Sequence, residues 1–345
     1  MFFYYLLTQR CNLACGHCIR GKSAPHDMDT RLALRGMDEL SSCVPNGTLV
    51  LTGGEPTLHP DFMLLASHAL KCFNEVILTS NGTTPLYAEQ AEAWPTLQAA
   101  GLHVQFSIDG DEQAHDLLRG AGSWHTALEH LELLSQAGVS VWVSTVVTQD
   151  NIASMPALRE ELHRHRVRKW HISPVLPFGC GAGLKGLSIE EWNAFVEVML
   201  TTCRMRLGIR RLYDFTQLDA LSDDRITEIS QGLAGKPSNR NCGSGITKIY
   251  VYPDFSVYGC SCLSSIPFGD LSREPLQDIL GSPQALRIRD YRVDDTSPCR
   301  KCRYLPLCNG GCIGISLHKA GRLGIGDIRC PLWQRYASED REQGL

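Results

Sequence analysis

Two periods of apolar and polar residues alternate along the first half of the chain. Short, nearly continuous apolar runs at residues 2–7, 48–51, 75–79, 103–108, 139–147 and 169–173 read as strands buried on both faces. Between them, residues 30–43, 62–71, 86–100, 124–137 and 155–165 place apolar side chains three and four apart, the period of an amphipathic helix. Gly101 and Gly138 stop two of these helices. Six strands alternating with helices predict an α/β fold with parallel, right-handed βαβ units. An open doubly wound sheet and a partial barrel both satisfy that pattern. A further amphipathic stretch follows at 187–208, then a charged connection to Arg240. Beyond it the periodicity gives way to a hairpin-like run at 247–260, turning at Pro253-Asp254, and to loop-rich sequence.

Composition narrows the class. A chain of 345 residues, 43% hydrophobic and 20% charged, is globular. A net charge of −4 gives no reason to expect nucleic acid or an anionic membrane as partner. No apolar run approaches the roughly 18 residues that a spanning helix needs. The opening Met1-Phe2-Phe3-Tyr4-Tyr5-Leu6-Leu7 lacks the basic leader and cleavage site of a signal peptide. Fifteen cysteines fall into metal-type spacings rather than a disulfide framework, which points to a reducing, cytoplasmic setting.

The first strand run ends at Cys11, Cys15 and Cys18, spaced Cys-x3-Cys-x2-Cys. Zinc or a structural thiol cluster would accept such a set. Three thiolates can equally hold three irons of a [4Fe-4S] cube and leave the fourth iron open to a ligand. Thr52-Gly53-Gly54-Glu55-Pro56, Thr79-Ser80-Asn81-Gly82 and Phe106-Ser107-Ile108-Asp109-Gly110 each follow a strand. Taken singly, the first two are as well explained by plain turns.

Taken together, these stretches resemble the radical S-adenosylmethionine (SAM) superfamily, with His17 in the place usually held by an aromatic residue. The resemblance selects a partial (β/α)6 TIM-like barrel with its chemistry at the C-terminal strand ends. It implies a [4Fe-4S] cluster on Cys11, Cys15 and Cys18, and a SAM pocket lined by His17, Gly53, Gly54, Glu55, Pro56, Ser80, Asn81, Ser107, Arg119, Ser144, Pro174 and Val175. Glu55 would meet the SAM amino group, Ser107 and Arg119 the ribose and carboxylate, and Pro174-Val175 the adenine. Asp109 would point toward substrate as the candidate catalytic residue. His115 and Asp116 read as helix capping and a local polar contact.

Cys299-x2-Cys302-x5-Cys308-x3-Cys312, with Cys242, Cys260 and Cys262 before it and Cys330 after, resembles the SPASM domain, which carries two auxiliary [4Fe-4S] clusters. A zinc ribbon is the alternative for this spacing. Carried over, Cys299, Cys302, Cys308 and Cys330 would hold one cluster. Cys242, Cys260 and Cys312 would hold the other, with Cys262 or an open iron as its fourth position. That family usually has glycine in the hairpin turn where Phe255 stands. Cys43, Cys72, Cys180 and Cys203 read as packed core thiols, with Cys180 a candidate to face the cavity.

These resemblances imply a barrel over residues 1–185, a bridging helical region over 186–240 and a SPASM domain over 241–345. They imply reductive cleavage of SAM to a 5′-deoxyadenosyl radical, which takes a hydrogen atom from substrate. An electron donor such as flavodoxin or ferredoxin is then needed. The peptide-maturase branch makes a precursor peptide the expected substrate, joined by a C–C or thioether crosslink. Sulfatase (formylglycine) maturation and dehydrogenation of a small alcohol or sugar are the alternative reactions; a cluster-binding scaffold without turnover is the alternative class. The first strand begins too early for a leader-binding domain, so either a separate leader-binding protein delivers the peptide or the barrel and SPASM domain bind it directly.

Overall fold

The computed structural model describes residues 1–21, 24–232 and 243–342. Two compact units are present. The first comprises residues 1–210 with 250–256 and 270–276; the second comprises 211–249, 257–269 and 277–345.

In the first unit the predicted alternation holds. Strands β1 (Phe2–Thr8), β2 (Thr48–Gly53), β3 (Glu75–Ser80), β4 (Leu102–Ser107), β5 (Val141–Val147) and β6 (Lys169–Pro174) lie side by side in chain order, all parallel. A seventh strand, β7 (Arg206–Gly208), adds to β6. It was expected as the tail of a helix over 187–208. The helix runs only Ile189–Thr202, and the hydroxyls of Thr201 and Thr202 bond back to the carbonyls of Glu197 and Val198 near its end. The first unit extends to Arg210, taking in that helix and β7, the strand at one edge of its sheet.

The crossover helices are α1 (Thr30–Cys43), α2 (Phe62–Cys72), α3 (Leu86–Glu89), α4 (Trp94–Ala99), α5 (Glu112–Arg119), α6 (Ser123–Gln136), α7 (Met155–Arg164) and α8 (Ile189–Thr202). Residues 86–100 form two short helices, not one. Pro95 has no N–H to donate, and its ring would clash with a carbonyl one turn back, so a new helix starts beside it. Asp29 caps α1 by accepting from the Leu32 N–H at 2.9 Å.

Every residue of β2 is buried, whereas β4 and β5 alternate buried with half-buried. The buried set, including Val104, Phe106, Val141 and Val143, packs the core. The half-buried set, including Gln105, Ser107, Trp142 and Ser144, lies on the opposite face of the sheet. Register places Ser107 beside Ser144, with their hydroxyls 3.4 Å apart.

Lys248–Val251 (β8) and Ser256–Tyr258 (β9) form the expected hairpin. Phe255 adopts φ 65°, the left-handed conformation that glycine accepts without cost. Its ring is buried, which offsets the strain. No helix among the described residues is long and apolar enough to cross a membrane.

Candidate active site

The loop after β1 carries Cys11, Cys15 and Cys18. It is fastened by the Gly16 N–H to the Leu118 carbonyl (2.7 Å), the Cys18 N–H to the Cys15 carbonyl (3.2 Å), and the Cys180 N–H to the Cys18 carbonyl (2.9 Å). Gly179, at φ 56°, lies so close that a Cβ there would collide with the carbonyls of Cys18 and Ile19. Gly54 sits equally close to the Arg10 carbonyl. These close approaches hold the three thiols at the strand ends. Burial pushes the Cys15 thiol up to about 11 and raises Cys11 too; Cys11 and Cys18 add to the rise at Cys15, and Glu55 and Cys18 to that at Cys11. Such thiols stay protonated until a metal displaces the proton.

Nitrogen donors surround the sulfurs. The Leu13 N–H and Asn81 Nδ2 reach Cys11 Sγ at 3.5 and 3.8 Å, and Arg119 Nη1 reaches Cys15 Sγ at 3.9 Å. Three convergent soft ligands met by N–H donors suit a thiolate-held iron–sulfur cube, whose anionic sulfurs such donors stabilise.

Glu55 is buried completely. Its Oε1 accepts from the Thr57 N–H (3.2 Å), Thr57 Oγ1 (2.6 Å) and Ser80 Oγ (2.8 Å), and its Oε2 accepts from the Asn81 N–H (2.7 Å). Burial raises its pKa, and these four donors oppose the rise. The carboxylate thereby ties the end of β2 to the end of β3. Gly54 is exposed between the buried Gly53 and Glu55, so its backbone offers itself to a ligand there. Asn81 Nδ2 also donates to Asn12 Oδ1 at 2.9 Å, joining β3 to the cysteine loop. Pro56 opens the turn after Glu55, and Val175, fastened by its N–H to the Val147 carbonyl (2.9 Å), follows Pro174 at the end of β6.

Asp109 is also buried completely. Arg119 Nε donates to its Oδ2 at 2.6 Å, His17 Nε2 lies 3.3 Å from the same oxygen, and the Val146 N–H donates to Oδ1 at 2.7 Å. Burial alone would raise its pKa; Arg119, His17 and the Val146 amide reverse that and hold the carboxyl below the usual range. His115 Nδ1 accepts from the Asp109 N–H at 3.1 Å, and burial followed by Arg119 lowers its pKa to about 4. Asn151 Nδ2 donates to the carbonyls of Asp109 and Val146 at 2.8 and 2.9 Å. Asp116 accepts from the N–H groups of Gly122 (2.6 Å) and Trp124 (2.9 Å) at the start of α6, the capping role its position predicts.

In the second unit Cys299, Cys302, Cys308 and Cys330 line one pocket, with Tyr213, Asp327, Trp333 and Tyr336. Burial and the neighbouring thiols push Cys299 and Cys308 up to about 11. Gly326, at φ 87°, stands where a Cβ would press on Cys299 Sγ. Cys260, Cys262 and Cys312 form a second group. A hydrogen bond from Cys262 lowers Cys260 to about 6 and raises Cys262, which Cys312 raises further. Cys242 lies outside the described residues. Asp327 touches both groups: it lines the pocket, accepts from the Cys312 N–H at 3.3 Å, and is clamped by Arg329 at 2.8 and 3.1 Å.

Comparison with known proteins finds two family models in the chain. The radical SAM superfamily model matches residues 5–162, and the SPASM iron–sulfur cluster-binding domain matches residues 242–303. The chain is a radical SAM enzyme with a SPASM domain.

The radical SAM domain binds a [4Fe-4S] cluster and SAM, and the SPASM domain binds further iron–sulfur centres. The chain is 28% identical over 339 residues to the mycofactocin maturase MftC of Mycolicibacterium smegmatis, covering 94% of this chain and 81% of that protein. It is 25% identical over 330 residues to the AdoMet-dependent heme synthase of Nitratidesulfovibrio vulgaris, covering 91% and 88%. Among solved structures, Streptococcus suis SuiB bound to its precursor peptide SuiA shares the fold at TM-score 0.76 and 14% identity, covering 96% of this chain and 75% of that one. Native anSMEcpe with bound AdoMet matches at TM-score 0.68 and 18% identity, covering 99% and 97%.

In this radical SAM enzyme Asn81 joins the end of β3 to Cys11, Arg119 joins Asp109 to Cys15 and His17, and Ser107 on β4 meets Ser144 on β5. Asn12, Asp327 and Arg329 were not anticipated as part of either site. A lone asparagine and an Asp-x-Arg pair in a loop have no spacing that distinguishes them from surface polar residues.

Proposed function

We propose that this radical SAM/SPASM enzyme acts on a precursor peptide and joins two of its residues by a C–C or thioether crosslink. The observation that carries this reading is the likeness to the mycofactocin maturase, which runs through both the barrel and the SPASM domain. The shared fold with SuiB, a protein solved with a precursor peptide, supports it.

When bound, the cluster and SAM supply reductive carbon–sulfur cleavage and a hydrogen-abstracting radical. The chain's residues do the rest. Cys11, Cys15 and Cys18 hold the cube. The exposed Gly54 backbone, with Ser80 and Asn81 placed by Glu55, receives the methionine end of SAM. Ser107 and Ser144, paired on the half-buried face of the sheet, and Val175 with Pro174 receive the nucleoside. Glu55 acts through the residues it orders. Asp109, with no exposed surface, is a positioning residue as well: it fixes Arg119 and His17 against the cysteine loop. Cys299, Cys302, Cys308 and Cys330 hold one auxiliary cluster; Cys260, Cys262 and Cys312, with Cys242, hold the other. A flavodoxin or ferredoxin supplies the electron.

A second reading, chemistry on a porphyrin that leads to heme, is favoured by the likeness to the heme synthase. One experiment separates the two. The reconstituted enzyme is given SAM, reductant and either a deuterated peptide encoded beside its gene or an iron porphyrin bearing propionates. Deuterium in 5′-deoxyadenosine and a peptide lighter by that deuterium and one further hydrogen support crosslinking. Conversion of the porphyrin, with the peptide unchanged, overturns it.

A further inference from the structure

Away from the strand ends, on the outer helices of the barrel unit, one cluster has no part in the chemistry above. His68 and Cys72 stand four apart on α2 and so share one face of that helix, a turn apart. Asp38 comes from α1, which packs against α2. Its Oδ1 lies 2.9 Å from His68 Nε2 and 3.3 Å from Cys72 Sγ, and all three ligand atoms lie within 4.8 Å of one another. Cys72 was expected to be a packed core thiol. It is instead half-buried, aimed at a carboxylate and an imidazole.

We propose that Asp38, His68 and Cys72 form a binding site for a borderline divalent cation, zinc above all. The donor set decides the class. A thiolate with an imidazole selects against magnesium and calcium, which take oxygen ligands. The geometry decides the fit. Tetrahedral zinc bonds of about 2.0–2.3 Å put neighbouring ligand atoms about 3.4–3.6 Å apart. The two measured contacts have to open by only about 0.3–0.5 Å to reach those separations. Both are hydrogen bonds now, so the cation takes the place of the shared protons. Cys72 loses its thiol proton to solvent as the sulfur–zinc bond forms, and the imidazole binds through neutral Nε2. Asp38, 59% exposed, leaves the fourth position to water. The consequence is a clamp between α1 and α2, independent of the iron–sulfur sites.

The test reads Cys72 directly. Enzyme carrying its clusters is treated anaerobically with iodoacetamide, with and without added zinc chloride, and alkylation of each cysteine is followed by peptide mass spectrometry. Zinc at ten times its dissociation constant is expected to slow alkylation of Cys72 about tenfold by mass action. Cys43, on α1 but bonded to Glu39, serves as the unaffected control. In His68→Ala the protection is expected to disappear while the zinc-free rate stays within about twofold; Asp38→Asn also loses the protection, and its zinc-free rate rises because the carboxylate that helps hold the Cys72 thiol up is gone. Equal alkylation of Cys72 with and without zinc overturns the proposal, as does protection that survives in His68→Ala.

Discussion

Replacing Asp109 with Asn strands a buried charge. Asp109 has no exposed surface and Arg119 is 8% exposed, so solvent does little to screen their 2.6 Å contact. Removing one partner of such a pair costs about 3–5 kcal/mol, because the remaining charge stays buried without compensation. In a unit of this size each kcal/mol lowers the melting temperature by roughly 2–4 °C, so the loss is expected to be about 6–20 °C. The double variant Asp109→Asn/Arg119→Met removes the stranded charge and is expected to recover most of that. The pH dependence follows from the sign of the shift. Asp109 titrates below its unfolded value, so its stabilisation is present above about pH 4 and fades as pH falls through the folded pKa. The gap between wild type and Asp109→Asn should therefore close toward acid. Melting followed by circular dichroism at pH 7 and at several lower values measures all three effects. A shift under about 2 °C for Asp109→Asn at pH 7, or a double variant whose loss is the sum of the singles, would refute this account.

Three further outcomes are expected. Gly179→Ala forces a side chain onto the Cys18 and Ile19 carbonyls at a positive φ, so iron retention at the first cluster should fall while the iron of the SPASM domain stays; iron counting checks it. His115 is held neutral with a pKa near 4, so its stabilisation is complete above about pH 6.5 and is lost as pH falls from there toward 4; His115→Gln should flatten that part of the stability profile by on the order of 3 kcal/mol, read by denaturant titration. Asp327→Ala frees Arg329 and the Cys312 amide beside both SPASM thiol groups, so it should disturb the electron paramagnetic resonance signals of the auxiliary clusters and leave that of the SAM-binding cluster unchanged.

Much of this was legible in the sequence, for physical reasons that differ by residue. Strands buried on both faces write continuous apolar runs, so β2 and β3 stood out with their ends nearly correct. The α1 bounds were read correctly because an amphipathic period stops where it meets the strand signal. Three-residue β7 left no such mark: Arg206-Leu207-Gly208 is too short to show a period, and only pairing with β6 makes it a strand. The thiol groups were legible because metal ligation imposes spacing on the chain itself. The polar lattice beneath them was less so. Glu55, with its conspicuous position, was expected at the ligand, yet its four hydrogen bonds run to Thr57, Ser80 and Asn81. The pairing of Asp109 with Arg119 spans the whole of α5, and its burial comes from neighbouring strands that no local pattern reveals. Phe255 shows both sides: the sequence flagged a residue where glycine is usual, and the structure shows that it takes the glycine conformation.

The most direct test of the central claim, that three separate thiol groups each hold an iron–sulfur cube, is iron and sulfide content per chain after anaerobic reconstitution. Wild type is compared with Cys11→Ala/Cys15→Ala/Cys18→Ala and with Cys299→Ala/Cys302→Ala/Cys308→Ala. About twelve irons in wild type, with each variant losing about four and only one of them losing SAM cleavage, is the predicted result. Zinc in place of iron, no broad visible absorbance, or the same metal content in all three proteins would contradict it.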